Sequence, residues 1–174
     1  MTEQNNCASL HNDETYKEAL QMYEDLTRDG VDPFQYMLDM QHGLQLAVAK
    51  KDPAHNPHPD ELKTIGQKFD WLRENKQAFD DEFREIVDAL PGMELPPKDR
   101  SAVWKRWKAK YDDIRARTFD DLSENEMKEL KYELCDSFHF YMNLFFALDM
   151  DAKEMFVYYY FKNQENHRRA TSGY

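Results

Sequence analysis

Apolar residues recur at three- and four-residue intervals through most of the chain, and short polar stretches rich in Pro, Asn, Asp and Gly interrupt them. This spacing lays one face of a helix against a core, whereas alternation of the kind that marks strands is scarce. Residues 1–12 are polar and expected to be flexible. The pattern predicts a helix over Glu14–Leu26, ended by Thr27-Arg28-Asp29-Gly30, and another opened by Asp32-Pro33 and running through Phe34–Lys50. Its apolar stripe holds Phe34, Met37, Leu38, Leu44 and Val48. Residues 51–59 carry three prolines and read as loop.

Helical spacing resumes at Asp60, with a break expected near Gly66, and continues to Leu90, with Phe69, Leu72, Phe79, Phe83, Ile86 and Leu90 on the inward face. Pro91-Gly92 stops it, and residues 91–100 read as a second loop. A helix is expected over Ser101–Thr118, with Trp104 and Trp107 among basic residues. Ser123-x-x-Glu126 has the form of a capping box ahead of a long helix through Leu148, and Asp151-x-x-Glu154 has the same form ahead of a last helix to about Arg169. The chain therefore reads as all-α, a single-domain helical bundle of about six helices over residues 13–174.

Composition narrows the function. The net charge is −11, which argues against direct binding of DNA or RNA through phosphates. Hydrophobic residues make up 41% of the chain, too many for a disordered protein. Cys7 and Cys135 supply neither a disulfide framework nor a zinc spacing. The first residues lack the form of a signal peptide, and no apolar run approaches the roughly 20 residues needed to span a bilayer. A cytoplasmic protein that does not bind a membrane is expected.

Two acidic pairs hold the chemistry, Glu82-x-x-Glu85 and Glu133-x-x-Asp136. Each spacing puts both carboxylates on one helix face. With 34 of the 174 residues Asp or Glu, a single such pair is weak ground, and Glu126, Glu129 and Asp88 are assigned to the solvated background. The surroundings of the two pairs differ. Glu133 and Asp136 lead straight into the apolar run Phe138–Phe146, and Glu82 and Glu85 are interleaved with Phe83, Ile86 and Val87. Carboxylates at the threshold of a core are costly without partners, and oxygen-only ligand sets suit Mg²⁺, with Mn²⁺ as a substitute. Cations and an amide to hold phosphates are at hand in Lys162, Asn166 and Arg169, a stripe at i, i+4 and i+7 with Asn163 beside it, and further cations in Lys105 and Lys108.

These residues resemble the metal and phosphate motifs of the all-α nucleoside triphosphate pyrophosphatases, a superfamily that includes the dimeric dUTPases and the MazG-type enzymes. Met37-Leu38-Asp39-Met40-Gln41 is similar to the family's base-side helix, and Trp104-Lys105-Arg106-Trp107-Lys108 to its Trp-Lys segment. Glu133-Leu134-Cys135-Asp136-Ser137-Phe138-His139 resembles the second metal helix. Lys162-Asn163-x-x-Asn166-x-x-Arg169, closing in Gly173-Tyr174, resembles the phosphate motif, although Ala170-Thr171-Ser172 departs from the Gln-Asp type of sequence common there. The likeness runs from about Asp32 to Tyr174 and is greatest to the phage branch that acts on dCTP and dUTP.

The resemblance implies hydrolysis of dCTP or dUTP, and of the diphosphates, to the monophosphate. It implies two or three Mg²⁺ on Glu82, Glu85, Glu133 and Asp136, with Glu85 chosen to take the proton of the attacking water. Lys162, Asn166 and Arg169 would hold the outer phosphates, assisted by Lys105 and Lys108. Gln41, Gln45, His139 and Asn163 are candidates beside the base and sugar, with Phe138 or Trp71 packing on the sugar; a buried core histidine is the competing reading of His139. A homodimer, or a place in a larger nucleotide-supply complex, is also implied. The rival readings are a housecleaning MazG-like pyrophosphatase for other nucleotides and a non-enzymatic helical interaction module. A di-iron bundle fits poorly, because it wants paired Glu-x-x-His motifs.

Overall fold

Each long helix begins at a side chain that satisfies its own first backbone donors. The computed structural model describes residues 12–91 and 95–172. Residues 1–11, Gly92 of the expected Pro91-Gly92 stop, and the closing Gly173-Tyr174 lie outside them. Helix α1 (Asp13–Arg28) starts at Asn12, whose Oδ1 accepts from the N–H of Glu14 at 3.0 Å and of Thr15 at 3.1 Å. Helix α2 (Pro33–Lys51) starts at Asp32, whose Oδ1 accepts from Phe34 N–H at 2.9 Å. Helix α6 (Glu124–Ala147) has the expected reciprocal box: Glu126 accepts from Ser123 N–H at 2.9 Å, and Ser123 Oγ accepts from Glu126 N–H at 3.2 Å. At α7 (Ala152–Ser172), Asp151 accepts from Glu154 N–H at 2.7 Å, while Gln35 of α2 accepts from Ala152 N–H at 3.0 Å. Each such cap contributes about 1 kcal/mol.

Helix α3 (Ile65–Ala89) departs from the expected start at Asp60. Asp60 lies in a 3₁₀ turn over Pro59–Glu61, and the helix opens at Thr64 instead. Gln67 Oε1 accepts from Lys63 and Thr64 N–H at 3.0 and 2.9 Å, and Thr64 Oγ1 accepts from Gln67 N–H at 3.1 Å. This is a Thr-x-x-Gln capping box. Gly66 falls inside the first turn rather than breaking the helix.

The expected helix over Ser101–Thr118 is corrected more deeply. The segment holds one four-residue helix, α5 (Asp112–Arg115), after turns and a 3₁₀ turn at Ala109–Tyr111, and another, α4 (Pro97–Arg100), falls in the expected loop before it. Turn bonds replace a continuous helical ladder, with Lys105 N–H on Ala102 O, Lys108 N–H on Lys105 O and Tyr111 N–H on Lys108 O, and Arg115 adds bonds to Val103 O at 2.7 Å and to Lys105 O at 3.3 Å. The segment buries Val103 completely beside Ala102 and Tyr111 and leaves Trp107 80% exposed. The hydrophobicity of a tryptophan pair suggests a continuous buried stripe, but here Ala102, Val103 and Tyr111 form the core.

The chain divides into two compact units, and α3 and α6 each contribute to both. The first takes the residues up to Ala19 and Glu74–Tyr141. It contains the Ala102–Val103–Tyr111 core, with Leu95 and Ile114 packed against it, and a Phe79–Tyr141 ring contact at 6.1 Å. Trp104 Nε1 donates to the carbonyl of Val87 near the end of α3 at 2.8 Å.

The second unit takes Leu20–Arg73 and Met142–Tyr174, where α2 packs against α7. Its core joins Leu62, Trp71 and Ala147, with Leu72 and Phe146 at the edge. A polar chain threads it. Trp71 Nε1 donates to the Asn143 carbonyl at 2.7 Å, and Gln41 Nε2 donates to Asn143 Oδ1 at 2.9 Å. Two helices here end through a left-handed residue, Gly30 after α1 (φ 74°) and Asp149 after α6 (φ 52°). Val31 N–H reaches Leu26 O at 2.9 Å, and Met150 N–H reaches Phe145 O at 3.1 Å, the bonding of the Schellman motif. All described secondary structure is helical, and no described helix is long and apolar enough to cross a membrane.

Candidate metal centre

The first unit brings the two acidic pairs together. Glu82 and Glu85 lie on the second half of α3, Glu133 and Asp136 on the first part of α6. One carboxylate oxygen from each of Glu82, Glu85 and Glu133 lies within 4.8 Å of the others. Asp136 stands outside that trio but close enough to act on it electrostatically, and it lies 3.8 Å from His139 Nδ1. Phe79 and Ile86 of α3 are partly buried, whereas Phe69 and Phe83, expected on the inward face, are 60% and 52% exposed.

The charges are crowded. Partial burial, then Glu85, Asp136, Glu82 and Glu129, push the Glu133 carboxyl up to about 7. Burial, then Glu85, Asp136 and Asp81, also raise Glu82. Among the described residues, no lysine or arginine forms an ion pair with any of the three glutamates. Three oxygens converging from two helices, with Arg84 acting on Glu85 only through space, are a donor set for a hard divalent cation, which favours oxygen ligands and keeps open positions for water.

Glu85 and Glu133 also line a polar cavity of about 400 Å³ with Asp81, Arg84, Asp88 and Arg100. Arg84 pairs with Asp81, and Arg100 Nε donates to Leu95 O at 2.9 Å. Asp88, which sequence spacing assigns to the solvated background, lines the same cavity. Its i+3 distance from Glu85 was the available signal. Arg100 had none, because the turns that bring it to the cavity replace an expected loop and helix.

The remaining candidates are distributed as follows. Lys105 is exposed and Lys108 partly buried, both in the turns after α4. His139 is about half exposed, so it is not a core histidine, and Phe138 stacks on Tyr141. In the second unit, Trp71 is buried, and Gln41 is buried with its amide bonded to Asn143. Gln45 and Asn163 are partly buried. Lys162 and Asn166 are exposed on α7, where Arg169 shares Glu165 with Arg168 at 2.7 Å. Those two guanidinium groups hold Glu165 at about 2.

The chain is 44% identical over 170 residues to a dCTP pyrophosphatase of Enterobacteria phage LZ5 and 43% identical over 170 residues to the dCTP pyrophosphatase of Enterobacteria phage T4. Both alignments cover 98% of each chain. It is also 43% identical over 160 residues to a DNA replication protein of phage T4, covering 92% of this chain and 40% of that protein. No protein-family model and no solved structure matches. At this identity, over nearly the whole of both chains, the chain belongs to the phage dCTP pyrophosphatase family.

Proposed function

We propose that this chain hydrolyses dCTP, and dUTP beside it, to the nucleoside monophosphate and pyrophosphate, using Mg²⁺ held by Glu82, Glu85, Glu133 and Asp136. The observation that carries the reading is the convergence of three carboxylates within 4.8 Å, none of them in a direct ion pair with a described lysine or arginine. When bound, Mg²⁺ lowers the pKa of an attacking water and offsets charge on the phosphate chain. Glu85, the most exposed of the three, faces the polar cavity and is assigned the role of taking the water's proton. Arg100, on the same cavity, joins Lys105 and Lys108 as a candidate for the phosphates, and Lys162, Asn166 and Arg169 are assigned the outer ones. Gln45, His139 and Asn163 remain the candidates at the base and sugar. Gln41 is the fourth candidate, its Nε2 donating to Asn143 Oδ1. The diphosphates dCDP and dUDP are taken to be substrates as well.

The protein is proposed to act in the cytoplasm as a homodimer. Phe156, Tyr158, Tyr159, Tyr160 and Phe161 on α7 are all more than half exposed, and α1 buries none of its residues. A surface of this kind on a soluble chain marks an interface. A panel of deoxynucleoside triphosphates with Mg²⁺ tests the function: turnover of dCTP, with dUTP second and purine nucleotides spared, supports it. Preferential turnover of a purine nucleotide would replace it with the housecleaning reading.

A further inference from the structure

On α6, Glu129, Glu133 and Ser137 stand at i, i+4 and i+8, a single stripe with Glu133 in the middle. Both flanking residues have an orphaned group. Oε1 of Glu129 is buried and has no hydrogen-bond partner, and neither has the hydroxyl of Ser137, a residue only 2% exposed. A serine inside a helix ordinarily places its hydroxyl on the carbonyl one turn back, and this one does not. Glu129 also acts electrostatically on Glu133, so two like charges occupy adjacent turns where a pair is destabilising. Buried polar groups in native proteins almost always have partners, and two orphans on either side of one carboxylate call for something that supplies them together.

We infer that Glu129 and Ser137 are positioning residues of the metal centre, anchoring the waters that a divalent cation at Glu82, Glu85 and Glu133 keeps in its coordination sphere. The inference rests on the metal-dependent reading above. Mg²⁺ and Mn²⁺ retain several waters when protein carboxylates bind them, and each such water has hydrogens that need acceptors. The buried Oε1 of Glu129 can accept one, and the Ser137 hydroxyl can accept one or donate in return. Outer partners of this kind typically govern metal affinity by 10- to 100-fold. The spacing of the stripe is visible in the sequence, but the burial that separates Glu129 from ordinary surface acids is not.

The test is Mn²⁺ binding to the full-length protein, followed by electron paramagnetic resonance, with thermal unfolding measured with and without Mn²⁺. Glu129→Gln should weaken Mn²⁺ binding about 10- to 100-fold while raising the melting temperature of the metal-free protein, because it removes a like charge. Ser137→Ala should leave the metal-free melting temperature unchanged or raised, and shrink the increase produced by saturating Mn²⁺. Opposite signs for the metal-free and metal-bound protein are what a purely structural role would not give. Glu133→Gln and the exposed Asp113→Asn serve as controls. If Glu129→Gln and Ser137→Ala both bind Mn²⁺ like the wild type while Glu133→Gln does not, the positioning role is wrong and the metal centre stands. If the wild type binds no Mn²⁺, or Glu133→Gln binds it equally well, the metal centre itself is wrong and the inference falls with it.

Discussion

Glu85 of α3 and Glu133 of α6 each place a carboxylate oxygen within 4.8 Å of the other, with Glu82 completing the group. Without a cation this arrangement is repulsive. Glu85→Gln should therefore stabilise the metal-free protein by about 0.5 kcal/mol, the scale of a like-charge pair. It should also reduce Mg²⁺-dependent pyrophosphate release by about 100-fold or more, since even outer partners of a metal govern 10- to 100-fold. Asp136→Asn should lose turnover in the same way with the fold intact by circular dichroism. Near-normal turnover in either variant would remove that residue from the centre.

Burial of Glu133, together with the same repulsion, gives the metal-free protein a defined pH dependence. Glu133 titrates near its ordinary 4.5 when unfolded and at about 7 when folded, so folding favours its protonated form. That stabilisation is complete below about 4.5 and is lost as pH rises through about 7. Urea denaturation in a chelator should show stability falling across this window. Added Mg²⁺ should restore more stability at pH 8 than at pH 5, because the carboxylate must be unprotonated to bind it. A metal-free stability that increases from pH 5 to pH 8 would contradict the crowding.

In the second unit, Asn143 holds two partners, Trp71 through its carbonyl and Gln41 through its side chain. Asn143→Ala leaves the buried Gln41 amide without its acceptor and should cost about 1–3 kcal/mol. Gln41→Ala should cost a comparable amount, and the double variant less than the sum. Equilibrium denaturation of the three variants measures this. Additive losses would mean that the two side chains are not coupled.

Much of the helical architecture was legible in the sequence because it is written in local chemistry. Asp32-Pro33 and Ser123-x-x-Glu126 cap helices as their residue types require, and the Thr27–Gly30 stop coincides with a left-handed Gly30. The start of α3 differs because helical spacing extends back to Asp60, which lies in a 3₁₀ turn, whereas the Thr64 and Gln67 side chains satisfy the first donors of the helix itself. The segment after α4 failed for a tertiary reason. Arg115 reaches back to carbonyls that a helix would have used, and no periodicity reports a bond of that kind. At the site, the pairing of the acids was readable from spacing, but the orphaned oxygen of Glu129 and the approach of Arg100 to the cavity depend on packing.

Two glycines separate backbone conformation from space. Neither Gly30 nor Gly43 has an atom within 4 Å of where a Cβ would stand, but only Gly30 has a positive φ, 74°. Gly30→Ala should destabilise by about 1 kcal/mol, the penalty for a left-handed alanine. Gly43→Ala, inside α2, should stabilise by about 0.5–1 kcal/mol. Thermal unfolding of both variants checks the opposite signs.

Base choice rests on fewer contacts. Gln45 is partly buried on α2, and a glutamine amide can present a donor or an acceptor to a pyrimidine edge. Gln45→Ala should change the ratio of dCTP to dUTP turnover by several-fold, on the order of the 1 kcal/mol that a hydrogen bond contributes. An unchanged ratio excludes Gln45 from base recognition.

The central claim is metal-dependent hydrolysis that separates pyrophosphate from a pyrimidine nucleotide. Phosphorus-31 magnetic resonance of the purified protein with dCTP and Mg²⁺ tests it directly. The account predicts dCMP and pyrophosphate in equal amounts, with both signals abolished by a chelator and by Glu85→Gln. Release of inorganic phosphate with dCDP, or turnover that persists without divalent metal, would contradict it.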